Sequence, residues 1–469
     1  MEKSIVDLST RWRQRIPSFT VSIFVLLTSA SAGAETLSDA LVKAYQSNPQ
    51  LNAARARQRA TDENVPQALS GYRPQIVASL SAGLQQVRNL LPDNTIQTAT
   101  LKPWTVGLTV TQTLFNGFKT ANNVRVAEAQ VRSGREALRN VGQGTLLDAV
   151  TVYMNVLANG SLVEAQRANV AFLRQTLSTT RNRLNAGDVT PTDAAQAEAR
   201  LSRGLADLNA AEVVLAVSKA TYAQVVGEPP GQLMAATPVD RFSPSSLAEA
   251  TKLAGQENPA VLAAQFDVDV AQSSTAVAES ALLPTVSVQG SVSRGVQNDP
   301  TLATVRMDQA SVVGQVGVPL YDAGMAAAQT RQAKEVASQS RMVLEQVRNQ
   351  TRTAVTSAWV TNEGSKVTLT AAESEVRAAS VALQGVQREA QAGQRTTVDV
   401  LNALQDLTNA RARQILAQRD RVIASYTLLG AVGRLDVKTL ALNTPDYLPE
   451  VHYHQIRDAW HGLRTPAGR

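Results

Sequence analysis

The sequence predicts a mixed fold in which transmembrane β-strands are joined to very long α-helical hairpins, the whole unit being written twice in one chain. Three observations carry this. Each half contains two alternating runs, a very long proline-free stretch follows each pair of runs, and the landmarks of one half recur in the other at offsets of 206 or 210 residues. Asn48-Pro49 returns as Asn258-Pro259, Pro74 as Pro284 and Phe115 as Tyr321, and "AGDVTPTD" at 186–193 returns as "AGQRTTVD" at 392–399. Solenoid units run to ~20–50 residues, so a period this long marks a duplicated half-protein.

The first 34 of the 469 residues carry Arg11, Arg13 and Arg15, an apolar run from Phe19 to Leu27, and the small residues Ala32-Gly33-Ala34, the pattern of a cleavable export signal with Glu35 as the mature start. The apolar run falls far short of the ~20 residues a spanning helix needs. Removing this leader leaves 41 basic and 37 acidic residues, no electrostatic footprint for nucleic acid. With no cysteine, there is no disulfide and no thiol to carry a lipid, so any membrane attachment falls to the fold. The three histidines, His452, His454 and His461, all lie in the last 18 residues, so the body of the chain cannot host a serine or cysteine triad. His452 and His454 as a metal pair is the weaker reading against two solvated tail residues, and no metal or cofactor is expected.

After the leader the chain divides into a first repeat at 35–225, a linker at 226–245, a second repeat at 246–433, and a tail at 434–469 that wraps the outside or stays flexible. Each repeat opens with helical sequence and then alternates. At 75–88, Ile76, Ala78, Leu80, Ala82 and Leu84 share one face, with Ser79, Ser81 and Gln85 among those on the other. At 103–114, Trp104, Val106, Leu108 and Val110 oppose Thr105, Thr109 and Thr111. The second repeat does the same at 285–294, with Val286, Val288 and Val292, and at 310–320, with Val312, Val316 and Val318. Runs of about ten residues with one apolar and one small polar face suit strands with lipid on one side and water on the other. A half-buried strand of a soluble sandwich is the alternative. The connections at 90–102 ("LLPDNTIQTATLK") and 295–309 ("GVQNDPTLATVRMDQ") read as polar outer loops.

No proline interrupts the chain between Pro103 and Pro191 or between Pro319 and Pro445. Leu146, Val150, Tyr153, Met154 and Leu157 form one helical stripe in the first stretch, and Leu344, Val347, Thr351 and Val355 a similar one in the second. Continuous helix from Gly117 to Asn185 would be ~100 Å long, a coiled coil or one stave of a helical cylinder. The twin corners end these rods. Gly187 and Gly393 supply the left-handed residue past a helix end, Thr190 and Thr396 the N-caps of the return helices, and Asp193 and Asp399 the reciprocal capping-box carboxylates. Asn402 and Asp406 follow Asp399 along one helix face, as Gln196 and Arg200 follow Asp193.

Four strands cannot close a barrel, and an open sheet in lipid leaves edge N–H and C=O groups unsatisfied at several kcal/mol each. Two chains would pool eight strands around a side-chain-filled interior, and three would pool twelve around a lumen.

The leader, the duplicated strand-pair-plus-hairpin order, the "NPQL" and "NPAV" starts, "LFNG" and "PLYDAG" at the strand-to-rod junctions, and above all "RLNAGDVTPTDAAQAEA" and "AGQRTTVDVLNA" resemble the TolC family of outer-membrane efflux proteins over 36–435. The resemblance implies a homotrimer with a twelve-stranded β-barrel in outer-membrane lipid and a periplasmic α-helical tunnel. It implies work with a periplasmic adaptor and an inner-membrane transporter of RND or ABC type, exporting drugs, bile salts, detergents or proteins. Carried over by position, Asp399 matches the ring aspartate that narrows the periplasmic entrance, and Asn402 stands where a second ring aspartate is found. Asp193 and Arg395 match partners in the polar links that hold the tunnel shut, Ala390 replaces a tyrosine of that network, and Gly187 and Gly393 mark the tips an adaptor engages. A periplasmic coiled-coil adaptor and a carboxylate-dependent envelope enzyme are the competing classes. The first would not need alternating strands, and the second would need convergent polar groups that neither half shows.

Overall fold

The computed structural model describes residues 34–296 and 306–466. The leader read at 1–34 lies outside the described residues except for Ala34, as does the middle of the outer loop read at 295–309. Each half begins with two helices broken at an Asn-Pro corner: α1 (Leu37–Ser47) and α2 (Pro49–Asp62) in the first, then, after the short α3 (Asn64–Leu69), the sheet and the first hairpin. The corner forms because the Asn48 Oδ1 accepts from the amides of Gln50 and Leu51 while Pro49, at the first helical position, lacks the N–H that would go unpaired.

Among the described residues six strands follow in two groups. β1 (Gln75–Ala82), β4 (Trp104–Asn116), β5 (Thr285–Val296) and β6 (Arg306–Gly317) make one antiparallel sheet in that spatial order, leaving β1 and β6 as open edges. Among the described residues β2 (Gln85–Leu90) and β3 (Ile96–Leu101) pair only with each other. The alternation read at 75–88 as one strand therefore breaks at Gly83 and Leu84. Gly83 N–H bonds to the carbonyl of Pro103, which has no N–H to return, and the ladder stops there. The segment read as an outer loop at 90–102 holds the turn of this hairpin, with Asn94 in the left-handed region, and its second arm, β3. In the second half, β6 ends at Gly317, so Val318, just before Pro319, falls outside the strand to which its alternation pointed.

Register places the apolar residues together. Leu80 faces Val106, Leu108 faces Val292, and Val286 faces Val316, while Ser79 lies against Gly107, Thr109 against Ser291, and Ser291 hydrogen-bonds Ser311 at 2.9 Å. The apolar face is bare within the chain, with Leu80 77% and Val312 80% exposed.

From the sheet the chain enters α4 (Lys119–Ala186), 68 residues or ~100 Å long, and returns along α5 (Pro191–Val226). The second half repeats this with α6 (Leu247–Glu257), α7 (Pro259–Glu279), α8 (Met325–Gln391) of 67 residues, and α9 (Thr397–Val432). The main core lies midway down the rods, where Leu41, Leu146, Val150, Tyr153, Tyr222, Val226, Leu429 and Leu435 pack from both halves. Burial pushes the Tyr153 hydroxyl up to about 12, and it bonds to the carbonyls of Glu35 (2.9 Å) and Met234 (2.7 Å), tying the start of the described chain to the linker. The corners are equivalent in the two halves: Asn48 Nδ2 donates to the Val225 carbonyl near the end of α5, and Asn258 Nδ2 to the Ala431 carbonyl near the end of α9. The described part of the tail follows a defined path, with α10 (Pro449–Ile456) lying against α2 and α4. Within it His452 Nδ1 meets Oδ2 of the fully buried Asp62 at 3.0 Å.

Candidate functional site: the hairpin tips

Both rods end in the same turn. Gly187 (φ 84°) and Gly393 (φ 77°) take the left-handed conformation, and the amides of Asp188 and Gln394 reach back to the carbonyls of Arg183 and Glu389. Nothing approaches a Cβ built at either glycine, so each tip is an open, exposed knob.

The return helices start with reciprocal caps. Asp193 Oδ2 accepts from the Thr190 amide (2.9 Å) and hydroxyl (2.7 Å), and Asp399 Oδ2 from the Thr396 amide (3.0 Å) and hydroxyl (2.8 Å). The threonine hydroxyl, followed by its amide, holds the Asp193 carboxyl below its ordinary value. For Asp399 the amide of Thr396 comes first, then its hydroxyl. Both are therefore anions at neutral pH. The caps use Oδ2 only, so among the described residues Oδ1 of each keeps no hydrogen-bond partner.

The other sequence-read residues are placed as follows. Asn402, exposed on α9 one turn beyond Asp399, accepts from Arg200 Nη2 of α5 at 3.0 Å, a link between the two hairpins. Arg395 donates Nε to Glu389 Oε2 at 2.9 Å across its own turn, which raises its pKa, and among the described residues it makes no ion pair with Asp193. Ala390 lines an open groove of about 570 Å³ between the rods, with Phe172, Gln175, Thr179, Arg183 and Gln387. Behind the polar ends, Leu173, Leu177, Leu383, Leu401, Leu404 and Leu407 pack the two hairpins together.

Two partners were missed in the sequence, Arg200 and Glu389. Arg200 shares a helix face with Asp193, but its reach to Asn402 depends on how the two hairpins pack. Glu389 is carried to Arg395 by the glycine turn, since the 389 carbonyl and the 394 amide are bonded there. The turn pattern itself was the available signal.

A sheet with a bare apolar face and open edges, running into two hairpins ~100 Å long, defines one protomer of an outer-membrane channel with a helical tunnel. The family model for outer membrane efflux proteins matches residues 40–228 and 250–434, one stretch in each half, and the chain belongs to that family. It is 41% identical over 446 residues to the outer membrane efflux protein BepC of Brucella suis biovar 1 (strain 1330), covering 95% of each chain. It is 27% identical to the outer membrane protein TolC of Vibrio cholerae serotype O1 (strain ATCC 39315 / El Tor Inaba N16961), over 90% of this chain and 96% of that one. Among solved structures, the Campylobacter jejuni CmeC outer membrane channel superposes with a TM-score of 0.77 at 14% identity, covering 90% of this chain and 89% of that one. The protein is thus an outer-membrane efflux and secretion channel of the TolC family, with its barrel in the outer membrane and its tunnel in the periplasm.

Proposed function

We propose that three copies of this chain form a continuous duct that completes a tripartite export system, working with a periplasmic adaptor and an inner-membrane transporter. The observation that carries this is the four-stranded sheet with both edges unpaired. In lipid those edges are satisfied only by other sheets, and three sheets make a twelve-stranded barrel wide enough to hold water. The long hairpins of three copies then continue the lumen as a tube.

At the far end, the free Oδ1 atoms of three Asp399 side chains narrow the entrance, with Asn402 one turn further along. Each Asn402 carries Arg200 against it, so the entrance combines three carboxylates with three nearby cations and binds multivalent cations weakly. Closure is held by links between neighbouring copies in which Arg395 exchanges Glu389 for the free Oδ1 of the neighbour's Asp193. Adaptor tips dock at the knobs of Gly187 and Gly393. The proposed cargo is drugs, detergents, bile salts or proteins, and the similarity to an outer membrane efflux protein supports small-molecule efflux as the first to test.

Extraction from outer membranes tests the assembly: an SDS-resistant species that falls to one-third of its mass on heating is expected, and a soluble monomer contradicts it. Deleting the gene tests the cargo. Sensitivity to a panel of hydrophobic drugs and bile salts is expected to rise, whereas unchanged sensitivity with a secreted protein missing from the medium assigns protein export instead.

A further inference from the structure

The tail after Gly433 plays no part in the duct reading, yet it is held along a defined path. On α4, Glu450 meets Arg135 at 3.4 Å and Arg457 meets Glu128 at 3.7 Å. On the other side, His452 meets Asp62, and the Ala459 carbonyl accepts from Arg73 Nη1 at 2.7 Å. As the tail advances, its α4 partners move toward Lys119 and its other partners move from α2 toward β1. Both ladders run toward the sheet, so the tail climbs the outside of the rods toward the membrane. Arg73 lies two residues before β1, and its guanidinium stacks 4.7 Å over the ring of Trp460.

At that level the junction of sheet and helices exposes large apolar side chains, among them Tyr72, Leu114, Phe118, Leu283, Leu320 and Tyr321. Aromatic residues in this position form the girdle of a membrane barrel. Trp460 is 69% exposed beside them, Leu463 is fully exposed, and Arg457 and Arg464 flank the pair. Trp460, stacked on Arg73 but still mostly exposed, and the fully exposed Leu463 lie between arginines at the height where lipid begins and match the layer between headgroups and acyl chains.

We propose that 460–464 is an interfacial anchor that seats Trp460 and Leu463 in the phospholipid leaflet facing the periplasm, with Arg73 and Arg464 at the headgroup phosphates. The strap then ties the sheet-proximal part of the rods, through His452–Asp62, to the membrane surface. It limits how far the rods tilt against the barrel. This rests on the outer-membrane location and not on the trimer or the gate.

The test uses the full chain reconstituted in vesicles of phosphatidylethanolamine and phosphatidylglycerol, some with brominated acyl chains. Trp12→Phe, Trp104→Phe and Trp359→Phe leave Trp460 as the sole tryptophan, excited selectively over the tyrosines at the red edge. Fluorescence is expected to fall at least about twofold with bromines placed near the headgroup end, and to resist aqueous iodide. Quenching by iodide with no response to brominated lipid overturns the anchor. Because the chain has no cysteine, Leu463→Cys carrying an environment-sensitive dye gives a second readout in an otherwise native protein. A blue-shifted dye is expected, and a water-like spectrum overturns the proposal. Conductance of the same vesicles shows that the channel has inserted, so loss of the duct is told apart from loss of the anchor.

Discussion

Glycines with the same backbone sign have different jobs in this chain. At Gly433 (φ 98°) a Cβ would meet the backbone of Glu257 and Asn258 at 2.7 Å, whereas at Gly187 (φ 84°) it meets nothing within 4 Å. Gly433→Ala is therefore expected to cost more than about 2 kcal/mol, against about 1 kcal/mol for Gly187→Ala, and thermal unfolding in detergent should rank the two clearly. The capping carboxylates have a definite pH dependence. Asp193 and Asp399 are held below their ordinary values, so their contribution is complete above an unfolded value of ~3.9 and is lost as pH falls through the lower folded values. Amide exchange in the first turns of α5 and α9 should be unchanged between pH 8 and 5 and accelerate near pH 3 beyond its intrinsic rate. Acceleration already at pH 6 contradicts the capping role. These caps were legible from Thr-x-x-Asp spacing alone, because a capping box is local. The pairings Arg200–Asn402 and Arg395–Glu389 were not, because one depends on the packing of two hairpins and the other on a turn folding back.

Between elements, polar links do what a thick core does elsewhere. Rods faced mainly with Ala, Val and Leu bury little per turn, and fixed contacts set their register. Arg421 of α9, almost wholly buried, bonds Asn362 of α8 at 2.9 Å and pairs with Asp240 of the linker. Asp240→Ala strips the carboxylate from a buried guanidinium, and a loss of about 2 kcal/mol is expected, with unfolding of α9 and the linker together. Arg200→Ala removes a link between α5 and α9 near the tips. Its expected effect is faster amide exchange in the last turns before Gly187 and Gly393, with the mid-rod core unaffected. The rods themselves were plain in the sequence, since long proline-free runs there carry apolar stripes at helical spacing and end in Gly. The β2–β3 hairpin was not, because its residues continue the alternation of β1 and only the Gly83–Pro103 contact divides them.

At the scale of the whole molecule, duplication is what makes the chain readable. Landmarks repeated at fixed offsets gave the order of strands and rods, and the equivalent Asn48 and Asn258 contacts show the same corner built twice. Strand order was less accessible: the central β4–β5 pairing joins the two halves across the 168 residues from 117 to 284 and has no local signal. The proposed trimer rests on the unpaired edges of β1 and β6, and the proposed gate on charged tips that a single chain leaves half used. The claim that three chains make one gated tube is met most directly by single-channel conductance of the purified protein in planar bilayers. Discrete low-conductance channels are expected from the wild type and larger ones from Arg395→Ala and Asp193→Ala; absence of channels, or identical conductance in all three proteins, would contradict it.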